Sequence, residues 1–193
     1  PETRPERPTR IVNVDYAFGQ QAEQILASLL YLFGPQVRSV NVMGKAGGLM
    51  GNRGDVQVAS SVLLQSDDQV FPLPNGDLDA DELRSLIPDR QVFPGRVLTV
   101  AGTLLQDRKL LHFYRRIYGC IGLEMEGSFF MRQLHRAIQM GVVRSDVKTR
   151  FAYYTSDLPL QPAHNLSEGL AAHEGVPPLY GITRAMLRRI LAS

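Results

Sequence analysis

Hydrophobic and polar positions follow two different periods along this chain, and each period predicts its own element. Over residues 20–33 the apolar side chains Ala22, Ile25, Leu26, Leu29, Leu30 and Phe33 recur three and four apart, the spacing of one helix face, and Gly34-Pro35 stops the helix. Before it, Ile11-Val12-Asn13-Val14-Asp15-Tyr16 is short and rich in β-branched residues, which reads as a strand, and Phe18-Gly19 turns the chain. Residues 37–42 read as the next strand. A strand, a helix of about four turns and a second apolar strand make a βαβ unit, which implies a parallel sheet with a right-handed crossover. The fold class is therefore α/β.

The same reading carries through the rest of the chain. Val56-Gln57-Val58 is extended, 61–73 is strand and bend, and 97–103 is a buried strand with a glycine near its carboxyl end. Residues 107–118 predict an amphipathic helix with Leu110, Leu111, Phe113, Tyr114 and Ile117 inward. The strongest helical pattern is 126–140, closed by Gly141. Phe151-Ala152-Tyr153-Tyr154-Thr155-Ser156-Asp157 is a strand ending in a hydroxyl and an acid, and the Pro-containing segment 158–165 is irregular and placed to cover a site. Residues 180–191 predict the last helix, its basic end suited to the dipole.

Composition narrows the class. With 193 residues, 44% hydrophobic and 21% charged, the chain suits one globular domain, over 11–193, and no apolar run approaches the roughly 20 residues that span a bilayer. Residues 1–10 hold three prolines and alternating charges, which is flexible linker chemistry: either a native tail or the junction to a longer polypeptide. The single cysteine, Cys120, excludes an internal disulfide framework, and the N-terminal residues lack a signal peptide's apolar centre, so the expected location is cytoplasmic. A net charge of +2 with arginines dispersed does not favour nucleic acid, and the expectation is no membrane partner. Histidines His112, His135, His164 and His173 form no close ligand pair with the cysteine, so no metal site is expected. The acids of 74–82 miss the spacing of a calcium loop and read as a solvated excursion.

Three candidate features stand at or near strand carboxyl ends, where open α/β sheets bind ligands. The first is the span 43–55, with five glycines that let a ligand approach bare N–H groups; it matches neither a P-loop nor a dinucleotide fingerprint, and turn chemistry explains it equally well. The second is Gly122-Leu123-Glu124-Met125-Glu126-Gly127. Glutamates suit a helix start, but two of them at the edge of an apolar run also suit a site in which a carboxylate accepts bonds from a polyhydroxylated ligand while Met125 packs on its apolar face. Ser156-Asp157 is the third.

Taken together and in this order, the three features resemble the purine and uridine phosphorylase family, which includes methylthioadenosine nucleosidases. The family's Gly-Ser-Ala-Gly-Gly-Leu and Gly-Asp-Val/Ile appear as Gly44-Lys45-Ala46-Gly47-Gly48-Leu49 and Gly54-Asp55-Val56, its Glu-Met-Glu-Gly as Glu124 to Gly127, and its late Ser-Asp as Ser156-Asp157. The resemblance, over about residues 11–160, implies a three-layer α/β/α domain with a mixed, mainly parallel central sheet. It implies a nucleoside pocket in which Gly44, Lys45, Ala46, Gly47, Glu124, Met125 and Ser156 line the substrate, Glu126 holds the ribose hydroxyls, and Asp157 donates to the departing purine. Breaking an N-glycosidic bond builds positive charge on the ribose and negative charge on the base, so both carboxyl groups favour the transition state, and an apolar wall with Tyr153 and Tyr154 would help Asp157 keep its proton.

Three departures shape the expectation. The family begins with a further strand and loop that carry the phosphate ligands or the acid that activates water, where this chain has its linker. Lys45 replaces a serine, either as an anion binder for phosphate or a 5′-phosphate or as a solvated residue, and the aromatic that stacks on the base is replaced near Leu105. The implied function is cleavage of the N-glycosidic bond of a purine nucleoside or nucleotide, by phosphorolysis or hydrolysis, without a cofactor but with phosphate as a possible co-substrate. The alternative is a non-catalytic nucleotide-sensing or interaction module that keeps the ribose clamp. The expected partners are a small-molecule nucleoside or nucleotide and a homo-oligomer.

Overall fold

The computed structural model describes residues 9–15, 17–101, 107–161 and 169–192. Tyr16, Gly102, Thr103, Leu105, His164, the first eight linker residues and the 162–165 part of the covering segment lie outside the described residues. In chain order the elements are α1 (Gln21–Phe33), β1 (Ser39–Gly48), β2 (Val56–Leu64), β3 (Gln69–Pro72), α2 (Ala80–Leu86), β4 (Val92–Thr99), α3 (Arg108–Ile117), β5 (Cys120–Glu124), α4 (Gly127–Gln139), β6 (Lys148–Asp157) and α5 (Ala172–Leu191). No helix among the described residues is long and apolar enough to cross a membrane.

The strands lie in the order β3-β2-β4-β5-β1-β6, and β6 also pairs with β2, so the sheet curls into a closed ring with β3 attached outside it. Pairs β1–β6, β2–β4 and β4–β5 are parallel, while the β1–β5, β2–β6 and β2–β3 ladders are antiparallel. Helices cover both faces. The apolar stripe of α1 (Ala22, Leu26, Leu30) meets Leu134 and Ala137 of α4 over Val62, Val97 and Phe151. On the other side Leu83 of α2 and Ile182, Ala185 and Met186 of α5 cover Val56, Val58 and Ala152. Leu111 and Tyr114 of α3 cover Leu63, Leu98 and Leu123. Each such fully buried leucine contributes about 1.5–3 kcal/mol relative to exposure. The α/β class and the mixed sheet follow from these layers.

Four local expectations are corrected. Residues 11–15 form no strand, so the βαβ unit around α1 is not built: Ile11 and Val12 are each 55% exposed. β-Branched residues favour a strand only where a neighbouring strand and a buried face receive them, and none lies against this segment among the described residues. The glycine span is not a loop from Met43 onward. β1 continues through Gly48, because glycines there admit close neighbours: a Cβ on Gly47 would meet the Leu123 side chain at 3.2 Å, and one on Gly48 would meet Thr155 at 2.7 Å. The turn comes later, at Gly51 and Gly54, with φ of +73° and +82°.

The last helix begins at Ala172 and runs through Pro177 and Pro178. Pro177 removes the N–H that would bond the His173 carbonyl one turn earlier; the Arg90 Nη2 donates to that oxygen instead, at 2.7 Å. The 74–82 excursion is not simply solvated either. Asp77 forms an ion pair with Arg150, whose side chain is 1% exposed, and Asp79 caps α2 by accepting from the Asp81 N–H at 2.9 Å.

Candidate functional site

Strand register brings the three sequence features to one place. Gly47 of β1 stands opposite Leu123 of β5 on one side and Asp157 of β6 on the other, and Thr99 at the end of β4 stands opposite Glu124. The carboxyl end of β6 and the Glu124-Met125-Glu126 turn are therefore separated by one strand, the glycine strand itself. Met125 and Leu160, which follows Asp157 closely, pack on the same apolar cluster.

The two glutamates do different things. Glu124 is buried, and its Oε2 accepts the N–H groups of Glu126 and Gly127 at 2.7 and 2.6 Å while its Oε1 accepts the Thr99 hydroxyl. Thr99 Oγ1 in turn accepts the Ser128 N–H at 2.9 Å. These bonds satisfy N–H groups at the start of α4 that have no carbonyl one turn back. Burial pushes the Glu124 carboxyl up to about 7, against the opposing pull of its hydrogen bonds from Thr99, Glu126 and Gly127. Glu124 thus holds the turn from beneath.

Glu126 is half-buried, and its Oε1 accepts the Gly19 N–H at 3.0 Å. Gly19 has φ +53°, a conformation that suits glycine, and its N–H lies just ahead of α1. Burial raises the Glu126 carboxyl, and the N–H groups of Gly19 and Met125 draw it back down. A partly desolvated carboxylate with lone pairs to spare is suited to hydroxyl donors.

On the β6 side the Ser156 hydroxyl donates to Asp157 Oδ2 at 2.6 Å, with the Ala46 carbonyl 3.4 Å away as its alternative acceptor. Ala46 is buried. Lys45 is exposed on β1 opposite Tyr154, and its side chain forms no hydrogen bond or ion pair among the described residues. Gly44 stands opposite Tyr153, its bare Cα facing the ring edge. No group of three or more His, Cys, Asp or Glu side chains among the described residues is placed to hold a metal ion.

Sequence reasoning did not pick out Thr99, Gly19 or Gln57. Gln57 is 1% exposed inside the ring, donating to Thr155 Oγ1 at 3.0 Å. Its place in Val56-Gln57-Val58 carries the signal of an outward polar residue, and only closure of the sheet turns that face inward. Asp55 staples the turn after β1 to the start of β4, accepting the N–H groups of Asn52 at 2.7 Å and Gln91 at 3.0 Å.

Solved structures with this fold include the futalosine hydrolase mutant of Helicobacter pylori, at 15% identity over 89% of this chain and 77% of that one, with a TM-score of 0.63. The 5′-methylthioadenosine/S-adenosylhomocysteine nucleosidase of Streptococcus pneumoniae, solved with the transition-state inhibitor MT-ImmA, matches at 14% identity over 90% and 80%, TM-score 0.60. AMP nucleosidase of Bacteroides thetaiotaomicron matches at 19% identity over 90% and 71%, TM-score 0.56. At these identities the likeness is one of fold: the chain shares the α/β fold of these nucleosidases and of the hydrolase. Comparison with curated proteins finds no match. By sequence, matched over residues 5–192, the chain belongs to the family of unknown function DUF6909.

Proposed function

We propose that this protein binds a purine nucleoside or nucleotide at the mouth formed by β1, β5 and β6 and cleaves its N-glycosidic bond. The observation that carries the reading is the register that sets Glu126 and Asp157 on either side of the glycine strand, with Glu124 spent on the turn so that Glu126 is left for a ligand. Glu126 accepts from the ribose hydroxyls and Met125 packs on the sugar. As the C1′–N bond breaks, its electron pair leaves with the base and Asp157, aligned by Ser156, delivers a proton to that base. The oxygen of water or of phosphate then bonds C1′ and releases its proton to solvent, from which the Asp157 carboxylate regains its own. Lys45 supplies a cation for a phosphate group, whether on the substrate or as the co-substrate.

Free base released from a panel of nucleosides and nucleotides, with and without phosphate, tests this reading and separates phosphorolysis from hydrolysis. Glu126→Gln and Asp157→Asn are each expected to lower kcat/KM by about a hundredfold or more. Saturable nucleotide binding without base release would replace the enzyme with a nucleotide-sensing module. Binding unchanged in both variants would remove the site.

A further inference from the structure

A hydroxyl buried at the first residue of α4 has no partner among the described residues of the folded chain. Tyr153 is 2% exposed, and its phenolic oxygen has no hydrogen-bond partner among the described residues. An unpaired buried hydroxyl is costly, and most are satisfied. Its position is defined from two sides. The ring edge lies against the bare Cα of Gly44 on β1, and the hydroxyl reaches the first residue of α4, where a Cβ added to Gly127 would stand 3.0 Å from the Tyr153 oxygen and 2.9 Å from Glu124 Oε1. The charges of Glu124 and Glu126 both act on the phenol and, after burial itself, raise its pKa, so the group keeps its proton and is a donor.

Among the protein acceptors nearby, Glu124 is already engaged by Thr99 and by two backbone N–H groups. What remains is a donor, Tyr153, whose hydroxyl ends at Gly127, the residue that follows Glu126, an acceptor with spare lone pairs. A donor and an acceptor at one turn match a group that is both at once, and a hydroxyl is such a group: it accepts from the phenol and donates to the carboxylate.

We propose that Tyr153 is a second ribose-recognition residue, whose hydroxyl donates to one of the sugar hydroxyls that Glu126 accepts from, and so sets the preference for ribosyl over deoxyribosyl ligands. This rests on the nucleoside reading of the Glu126 site. A site built to bond a hydroxyl rejects the analogue without it, because its own buried polar group is then left unpaired.

The test is a cycle between protein and ligand. Dissociation constants for adenosine, 2′-deoxyadenosine and 3′-deoxyadenosine are measured by calorimetry on the unaltered chain and on Tyr153→Phe, together with both melting temperatures. Expected is a loss of roughly tenfold for adenosine in the variant, a loss of less than twofold for one of the two deoxy analogues, and a melting temperature equal to or above that of the unaltered chain, since the variant deletes an orphaned group. Equal losses for all three ligands, no loss for any, or a lowered melting temperature would overturn the proposal while leaving the Glu126 site intact. Absence of binding of both adenosine and adenosine 5′-phosphate to the unaltered chain would take down the reading of the Glu126 site and this inference with it.

Discussion

Glu124 makes stability depend on pH in a direction opposite to that of most carboxylates. In the unfolded chain it titrates near 4.5; in the folded protein burial holds it up to about 7. Between those values the folded protein keeps a proton that the unfolded chain has lost, so unfolding releases protons and stability falls as pH rises through the window. The contribution is fully present below about 4.5 and gone above about 7, and the gap corresponds to roughly 3 kcal/mol. Urea unfolding of the unaltered chain and of Glu124→Gln, at steps from pH 4.5 to 8, isolates it. Glu126 is raised by the same cause and slopes the same way in both proteins, so the difference between them reads chiefly Glu124, including the part of its rise that the Glu126 charge supplies. The unaltered chain is expected to gain about 3 kcal/mol on the variant as pH falls from 8 to 4.5. Parallel curves for the two proteins would refute the burial argument, since they would mean that the carboxyl reaches water or a cation in the folded state.

Other substitutions read other parts of the structure. In Gly122→Ala the new Cβ would stand 1.8 Å from Gln57 Oε1, so the buried amide must move and abandon Thr155; thermal unfolding should report a loss of about 2 kcal/mol or more, partly restored by adding Gln57→Ala, and a melting temperature unchanged by Gly122→Ala would contradict the packing of the ring. Asp77→Asn leaves the Arg150 guanidinium buried without its counter-charge and is expected to cost about 3 kcal/mol in urea unfolding at pH 7; because Arg150 holds the Asp77 carboxyl below its ordinary value, the difference between the two proteins should shrink as pH falls below about 4.

How much was legible in the sequence differs from element to element, and the difference has a physical cause. The helices α1, α3 and α4 were legible because their apolar residues recur with the helical period and bury one face. The end of β1 was misread because its glycines were taken as turn residues, whereas here they admit Leu123 and Thr155; the last helix was read only from Tyr180, and its earlier start at Ala172 depends on Arg90 taking the place of the missing proline N–H. For 11–15 local propensity pointed to a strand, and propensity does not supply the neighbouring strand. At the site, the residue types at three strand ends could be read from order and spacing, because a βα register places strand ends in common. Contacts that depend on ring closure could not: nothing in the sequence near Tyr153 says that β1 runs alongside it through Gly44, or that its hydroxyl ends at Gly127.

That closure explains why one turn carries two carboxylates. A single glutamate at the start of α4 could cap the helix or face a ligand, but its oxygens could not saturate two N–H groups and a hydroxyl and still receive a sugar. The turn divides the work: Glu124, two residues earlier and on the buried side, takes the N–H groups of Glu126 and Gly127 and the Thr99 hydroxyl, so Glu126 keeps lone pairs while its backbone is pinned. Gly127 is the consequence, since a side chain there would be wedged between Glu124 Oε1, the Tyr153 hydroxyl and Val62. Replacing Glu124 should therefore loosen the placement of Glu126 without touching its charge, and ligand affinity should fall through geometry rather than through the loss of a contact.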